Sequence, residues 1–221
     1  MEIKYLGHSS FLIKTKNARL VTDPFDPKMV GLKFPKIEAD IVTVSHQHQD
    51  HNQSQLVSSL PNEEKLLIDL PGEFEKKGVK ISGYLTYHDA EKGKQRGENV
   101  IYRIEAEGIS ILHCGDLGEI PDDQLIETLN GIDILMVPVG GFYTIDSTKA
   151  IELIKKVEPS LIIPMHYNHS RLNQEIFTNL NDIDEFLKKG GWSVDKPLSK
   201  LIIKAEDLEE EMRVVLLEIS G

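Results

Sequence analysis

The segment Ser45-His46-Gln47-His48-Gln49-Asp50-His51 constrains this chain more than any other. Four side chains able to bind a metal (His46, His48, Asp50 and His51) fall within six consecutive positions. They follow the apolar run 41–44, which has the composition of a buried strand. In an extended chain, residues two apart point to the same side, so His46 and His48 are expected to grip one ion together. Asp50 and His51 lie where the chain must turn, and are expected to reach a second ion. Imidazole and carboxylate suit zinc, and also iron or manganese. A lone loop histidine is usually just solvated; a cluster this dense is not.

Other residues take up the same placement. Short runs rich in β-branched residues recur at 3–6, 11–13, 20–22, 66–70, 79–85, 100–105, 109–112, 134–137, 161–163, 200–203 and 214–219. The first three read as an antiparallel meander with turns near Gly7-His8 and Lys16-Asn17. Helical patterns are fewer: 123–129, 147–157 and 182–189, the last stopped by Gly190-Gly191. Strands first, then strands alternating with helices, predict an α/β layered fold. No linker divides the chain, so one domain over residues 1–221 is expected. His88, Asp116 and His166 each follow one of these runs. In α/β folds ligands gather at the carboxyl ends of strands, so the three are expected to join the first cluster.

Composition narrows the partners. The formal net charge is −11. An acidic surface repels a phosphate backbone, which disfavours a nucleic-acid partner. The acidic run 206–211 reads as a solvated face. No apolar run is long enough to span a bilayer, so no membrane partner is expected. The single cysteine, Cys114, leaves no internal disulfide, and the opening residues lack the zones of a signal peptide. A cytoplasmic location is expected.

The motif His-x-His-x-Asp-His, the later strand-end His88, Gly115-Asp116 and Pro164-Met165-His166-Tyr167 resemble the metallo-β-lactamase superfamily. Gly7-His8-Ser9-Ser10-Phe11 and Thr22-Asp23-Pro24-Phe25 resemble its opening strands. Val139-Gly140-Gly141-Phe142-Tyr143-Thr144 resembles a loop of its ascorbate-6-phosphate-lactonase-like branch of zinc hydrolases. The likeness covers roughly positions 1–170. It implies a four-layer αββα sandwich with the site between the edges of two sheets. It also implies that His46, His48 and His88 hold a first divalent ion, that Asp50, His51 and His166 hold a second, and that Asp116 bridges them.

His113 competes with His88. It sits three before Asp116, so on a strand the two face opposite ways, and the family pattern also favours His88. Cys114 is read as a buried inert thiol rather than a zinc ligand. Asp23 is expected behind a metal-binding imidazole, as a carboxylate that orients it. His8 and Tyr167 are candidate walls of the site.

The chemistry implied is hydrolysis by a metal-bound hydroxide, with Asp50 and Asp116 as catalytic carboxylates. A net positive centre in an acidic protein points to a small anionic ester, lactone, amide or phosphodiester. His113, Tyr143 and His169 are candidate proton donors, and Lys92, Lys94 and Arg96 candidate guides for the anion. The alternatives are a nuclease, or a non-hydrolytic iron redox protein. Related diiron oxidoreductases carry Glu in place of the second motif His, whereas His48 is intact here.

Overall fold

Gly7-His8 and Lys16-Asn17 interrupt the first branched apolar runs, and the chain opens as the expected meander. A computed structural model describes residues 1–209 and 211–220; Glu210, part of the acidic run, and Gly221 lie outside the described residues. Strands β1 (Glu2–Gly7), β2 (Ser10–Lys14) and β3 (Arg19–Thr22) pair antiparallel in sequence. A short helix, α1 (Pro27–Val30), is capped by Asp26. Strand β4 (Ile37–Glu38) precedes β5 (Ile41–Thr43), which joins β3 in parallel. Strand β6 (Val57–Ser58) pairs with β4, and β7 (Leu66–Ile68) extends the sheet beside β5.

Strands β8 (Gly72–Lys76), β9 (Val79–Tyr87), β10 (Glu98–Ala106) and β11 (Ile109–His113) form an antiparallel ladder. Beyond it the chain alternates: α2 (Asp123–Thr128), β12 (Ile134–Pro138), α3 (Ser147–Val157) and β13 (Leu161–Met165), with β11, β12 and β13 parallel. Helices α4 (Gln174–Phe177) and α5 (Ile183–Gly190) follow, then β14 (Leu201–Ile202) and β15 (Arg213–Val214).

Two large sheets result, in the orders β14-β1-β2-β3-β5-β7 and β15-β13-β12-β11-β10-β9-β8, beside the small β4-β6 pair. They share one apolar core, in which Ile3, Phe11, Ile13 and Ile41 of the first meet Ile81, Ile104 and Ile111 of the second. Helices α3 and α5 cover the far side of the second sheet through Ala150, Leu153, Ile154 and Phe186. Residues of α1 and α4, Val30 and Phe177, pack with Leu12, Val21 and Val42 on the far side of the first. The layers are therefore α, β, β, α, the expected sandwich. Asp146 caps α3, and Gly191 ends α5 in a left-handed conformation, the stop expected of Gly190-Gly191. No described helix is long and apolar enough to cross a membrane.

Pairing directions position the site. In the first sheet β1, β3 and β5 run the same way, and in the second β9, β11 and β13 do. Each of these strands ends in a segment carrying a chemistry-bearing residue.

Three expectations need correction. The backbone through 45–48 is a series of bends rather than an extended strand, so alternation is not what brings His46 and His48 together. Only Arg213–Val214 of the last run is strand; Leu217 and Ile219 then make isolated bridges to Leu198 and Tyr5, crossing to the first sheet. Strand β8 was not expected. Its Glu73 and Glu75 are poor strand formers, and it is held by the hairpin turn Lys77-Gly78, both with positive φ.

Candidate metal centre

Eight side chains from five segments meet at this edge. His46, His48 and His88 offer ligand atoms within 4.8 Å of one another. Asp50, His51 and His166, with His8, form a second such group, and His46, His51 and Asp116 a third that links the two. Asp116 is the common neighbour. Its Oδ2 lies 3.3 Å from His88 Nε2, 3.2 Å from His166 Nε2 and 4.0 Å from His46 Nε2, and its Oδ1 lies 3.3 Å from His51 Nε2. All are buried except His48, which stands at the rim.

The donor set fits divalent cations. His46 Nε2, His51 Nε2, His166 Nε2 and Asp116 Oδ1 are buried without a hydrogen-bond partner. Orphaned polar atoms of this kind are costly in a protein interior unless an ion or water satisfies them. Hydrogen bonds on the other ring nitrogens aim two of these imidazoles inward. His51 Nδ1 donates to Asp23 Oδ2 at 2.9 Å, and His46 Nδ1 lies 2.9 Å from Ser45 Oγ. Ser45 Oγ in turn donates to Asp23 Oδ2 at 2.6 Å, and Ser45 N to Asp23 Oδ1 at 2.8 Å. Asp23 is thus the orienting carboxylate foreseen from sequence, and it serves two histidines.

Electrostatics agree. Burial works against ionising Asp116, but His166 and His51 hold its carboxyl well below the usual carboxylate range. Burial keeps His46 and His88 neutral, the form that binds metal. Burial also opposes a charge on His51, yet Asp116, Asp50 and Asp23 overcome it and hold a proton there. The same carboxylates favour a metal cation in that proton's place. His8, Asp23 and His166 all have positive φ, a conformation that strains the backbone by roughly 1–3 kcal/mol each and that clusters at functional sites.

The remaining candidates separate cleanly. His8 Nε2 lies 3.1 Å from Asp50 Oδ2, and its ring is 4.2 Å from that of His166, so it belongs inside the site. His113 Nε2 donates to Ser9 O at 2.8 Å and its Nδ1 accepts from Gly115 N, which commits both nitrogens to packing. Cys114 is fully buried in the core, where desolvation pushes its thiol up. Tyr167 packs against the core, with its hydroxyl pushed up to about 12 by burial.

A cleft of about 440 Å³ opens over the cluster, lined by His48, Asp50, His88 and Asp116 and walled by Met29, Arg96, Tyr143, Ile176 and Phe177. His113, Tyr167, His169, Lys92 and Lys94 do not line it. Tyr143 does, but its hydroxyl donates to Ile176 O at 3.0 Å. Sequence patterns did not disclose the α4 wall, whose Ile176 and Phe177 sit in a polar stretch. They gave no role to Asn99, which accepts from Asp116 N at 3.0 Å and donates to Cys114 O and Thr86 Oγ1.

Comparison with known proteins agrees with this fold. Residues 2–166 match the family described as the β-lactamase superfamily domain. A UPF0173 metal-dependent hydrolase of Nanoarchaeum equitans is 32% identical over 190 residues, covering 76% of this chain and 84% of that protein. One of Thermococcus onnurineus is 29% identical over 191 residues, covering 76% and 85%. The crystal structure of a candidate Zn-dependent hydrolase of the metallo-β-lactamase superfamily from Thermotoga maritima superposes with a TM-score of 0.78 at 34% identity, covering 98% of this chain and 97% of that one. The chain belongs to the metallo-β-lactamase superfamily, within a family of metal-dependent hydrolases.

Proposed function

We propose that this protein is a dinuclear, zinc-dependent hydrolase that cuts a carbonyl or phosphorus centre in a small ester, lactone, amide or phosphodiester. The observation that supports this most is the position of Asp116 between two groups of inward-facing imidazoles. His46, His48 and His88 would hold the first ion, and Asp50, His51 and His166 the second. Asp116 would touch both. When bound, such ions polarise the scissile group and lower the pKa of a coordinated water to about 7, so that hydroxide is available as nucleophile.

The chain's own residues supply the rest. Asp50 lines the cleft, and His8 holds one of its oxygens, which restricts the carboxylate to one orientation within the cluster. Met29, Ile176 and Phe177 restrict water on one side. Asp23 and Ser45 keep His51 and His46 turned inward. The cleft volume suits a small molecule rather than a polymer strand. The net charge of −11 also disfavours a nucleic acid.

The test is metal content per chain after purification, with hydrolysis of lactone, phosphodiester and RNA substrates. Two zinc ions with turnover of a small substrate is the expected result. Iron with no hydrolysis would replace this function with a redox one, and RNA cleavage alone would replace it with a nuclease.

A further inference from the structure

Arg96 carries a charge that no carboxylate among the described residues balances. The chain has 36 Asp and Glu residues, yet among the described residues no carboxylate lies in ion-pair range of this guanidinium. The side chain is half-buried and is the one Arg or Lys lining the cleft over the metal centre. Lys92 and Lys94, on the same loop, are exposed and outside it, and Lys92 interacts instead with Glu119.

Its position is built rather than incidental. The Asp89 carboxylate accepts backbone N–H bonds from Glu91, Gly93, Gln95 and Arg96, at 2.8, 3.0, 2.9 and 2.8 Å. Those four bonds tie the loop into one conformation, and Gly97 O accepts from His88 N at 3.0 Å. The loop that follows a metal-ligand candidate therefore also sets the root of Arg96. At its tip the guanidinium lies 5.8 Å from the centre of the Tyr143 ring. That ring is fixed by the hydrogen bond from its hydroxyl to Ile176 O. Met29, Ile176 and Phe177 complete the wall.

We infer that Arg96 is the anion receptor of this cleft, and that the substrate is a small molecule bearing a carboxylate or phosphate next to an apolar group. A planar, permanently charged guanidinium pairs with either anion through two parallel hydrogen bonds. The apolar wall takes the neighbouring part of the molecule. Asp89 is a positioning residue that acts through the loop. The inference rests on the hydrolase assignment for the bond that is cut, but not for the anion.

The test uses the full-length protein as purified, titrated calorimetrically with phenylphosphonate, benzoate and benzyl alcohol, with metal content measured on the same samples. Wild type is compared with Arg96→Met, Arg96→Lys and Lys92→Met. Losing a charge-assisted pair should weaken anion binding about tenfold or more in Arg96→Met, with benzyl alcohol and metal content unchanged. Arg96→Lys should recover part of the loss, and Lys92→Met should match wild type. A loss confined to phenylphosphonate identifies the phosphate class, and a loss confined to benzoate the carboxylate class. Unchanged binding of both anions in Arg96→Met would mean that the ions alone hold them, and would overturn the inference. So would an equal loss of benzyl alcohol, or loss of metal together with binding, since either makes the role structural. Arg96-dependent anion binding without hydrolysis of any ester or phosphodiester would instead remove the hydrolase assignment and leave the receptor standing.

Discussion

Asp23 Oδ2 accepts a hydrogen bond from His51 Nδ1 at 2.9 Å, across 28 positions of sequence, and the same oxygen accepts from Ser45 Oγ at 2.6 Å. Ser45 in turn holds His46 Nδ1. One buried carboxylate thereby orients an imidazole from each of the two ligand groups. Burial opposes its charge, but the bond from His51 and the neighbouring histidines hold Asp23 below the usual carboxylate range.

Asp23→Asn is therefore expected to weaken both ions rather than one. The amide presents an NH₂ where the carboxylate had an acceptor, so one of its three donors faces another donor. Losses behind metal ligands typically cost about 10- to 100-fold in affinity. Competition against a chelator, read as metal per chain, measures this. Ser45→Ala should weaken mainly the ion held by His46. Selective loss of a single ion in Asp23→Asn would contradict the shared role.

Asp116→Asn keeps the shape but removes the charge that screens two cations from each other. Its expected result is loss of the second ion and of turnover. Two bound ions with normal hydrolysis in this variant would require the bridge to be withdrawn, because Asp116 is the carboxylate within 4.0 Å of imidazoles from both groups.

The candidate ligand segments were legible in the sequence because each follows a branched apolar run, and the strands end within two residues of those runs. Helix α3 was legible to its boundaries from its apolar stripe of Ala150, Leu153, Ile154 and Val157. What stayed hidden acts at long range. Ser45 and Asn99 work through hydrogen bonds to residues 22 and 17 positions away, and neither carries a pattern of its own. Tyr167 directly follows the candidate ligand His166 yet packs against the core, because His166 has positive φ and redirects the chain between them. The short α4 lacks a helical period, so the wall it builds could be found only in three dimensions.

Gly115, after β11, packs tightly against Ser45, after β5. Its φ is +53°, and a Cβ there would lie 2.4 Å from Ser45 Cβ and 2.5 Å from Asn99 Oδ1. Neither neighbour is the loose end of a flexible chain. Gly115→Ala should thus destabilise the fold by about 2 kcal/mol or more through strain and displaced contacts, and lower metal content as well. Urea unfolding paired with metal analysis checks both. A stable variant with full metal content would show that the two strand ends can separate without harm to the centre.

His113 offers a test that separates packing from metal binding. It is fully buried, it donates to Ser9 O, and burial lowers its pKa from the ordinary value of 6.5. His113→Asn should leave metal stoichiometry unchanged, yet cost about 1–3 kcal/mol of stability near neutral pH, because Ser9 O loses its donor. Below about pH 6.5 the unfolded chain takes up a proton on this histidine while the folded chain does not, so the stability that His113 confers falls as pH falls. His8, lowered to about 4 first by burial and then by His166, acts in the same direction. His51, raised by its three carboxylates, acts in the opposite one. Both are present in wild type and variant alike, so the difference between the two proteins isolates His113. For chelator-treated samples, the stability gap between wild type and His113→Asn should narrow from about pH 7.5 to about pH 5. Urea midpoints across that range measure it. A gap that stayed constant or widened on acidification would mean that His113 is not held neutral in the folded protein, and loss of one ion in His113→Asn would make it a ligand after all.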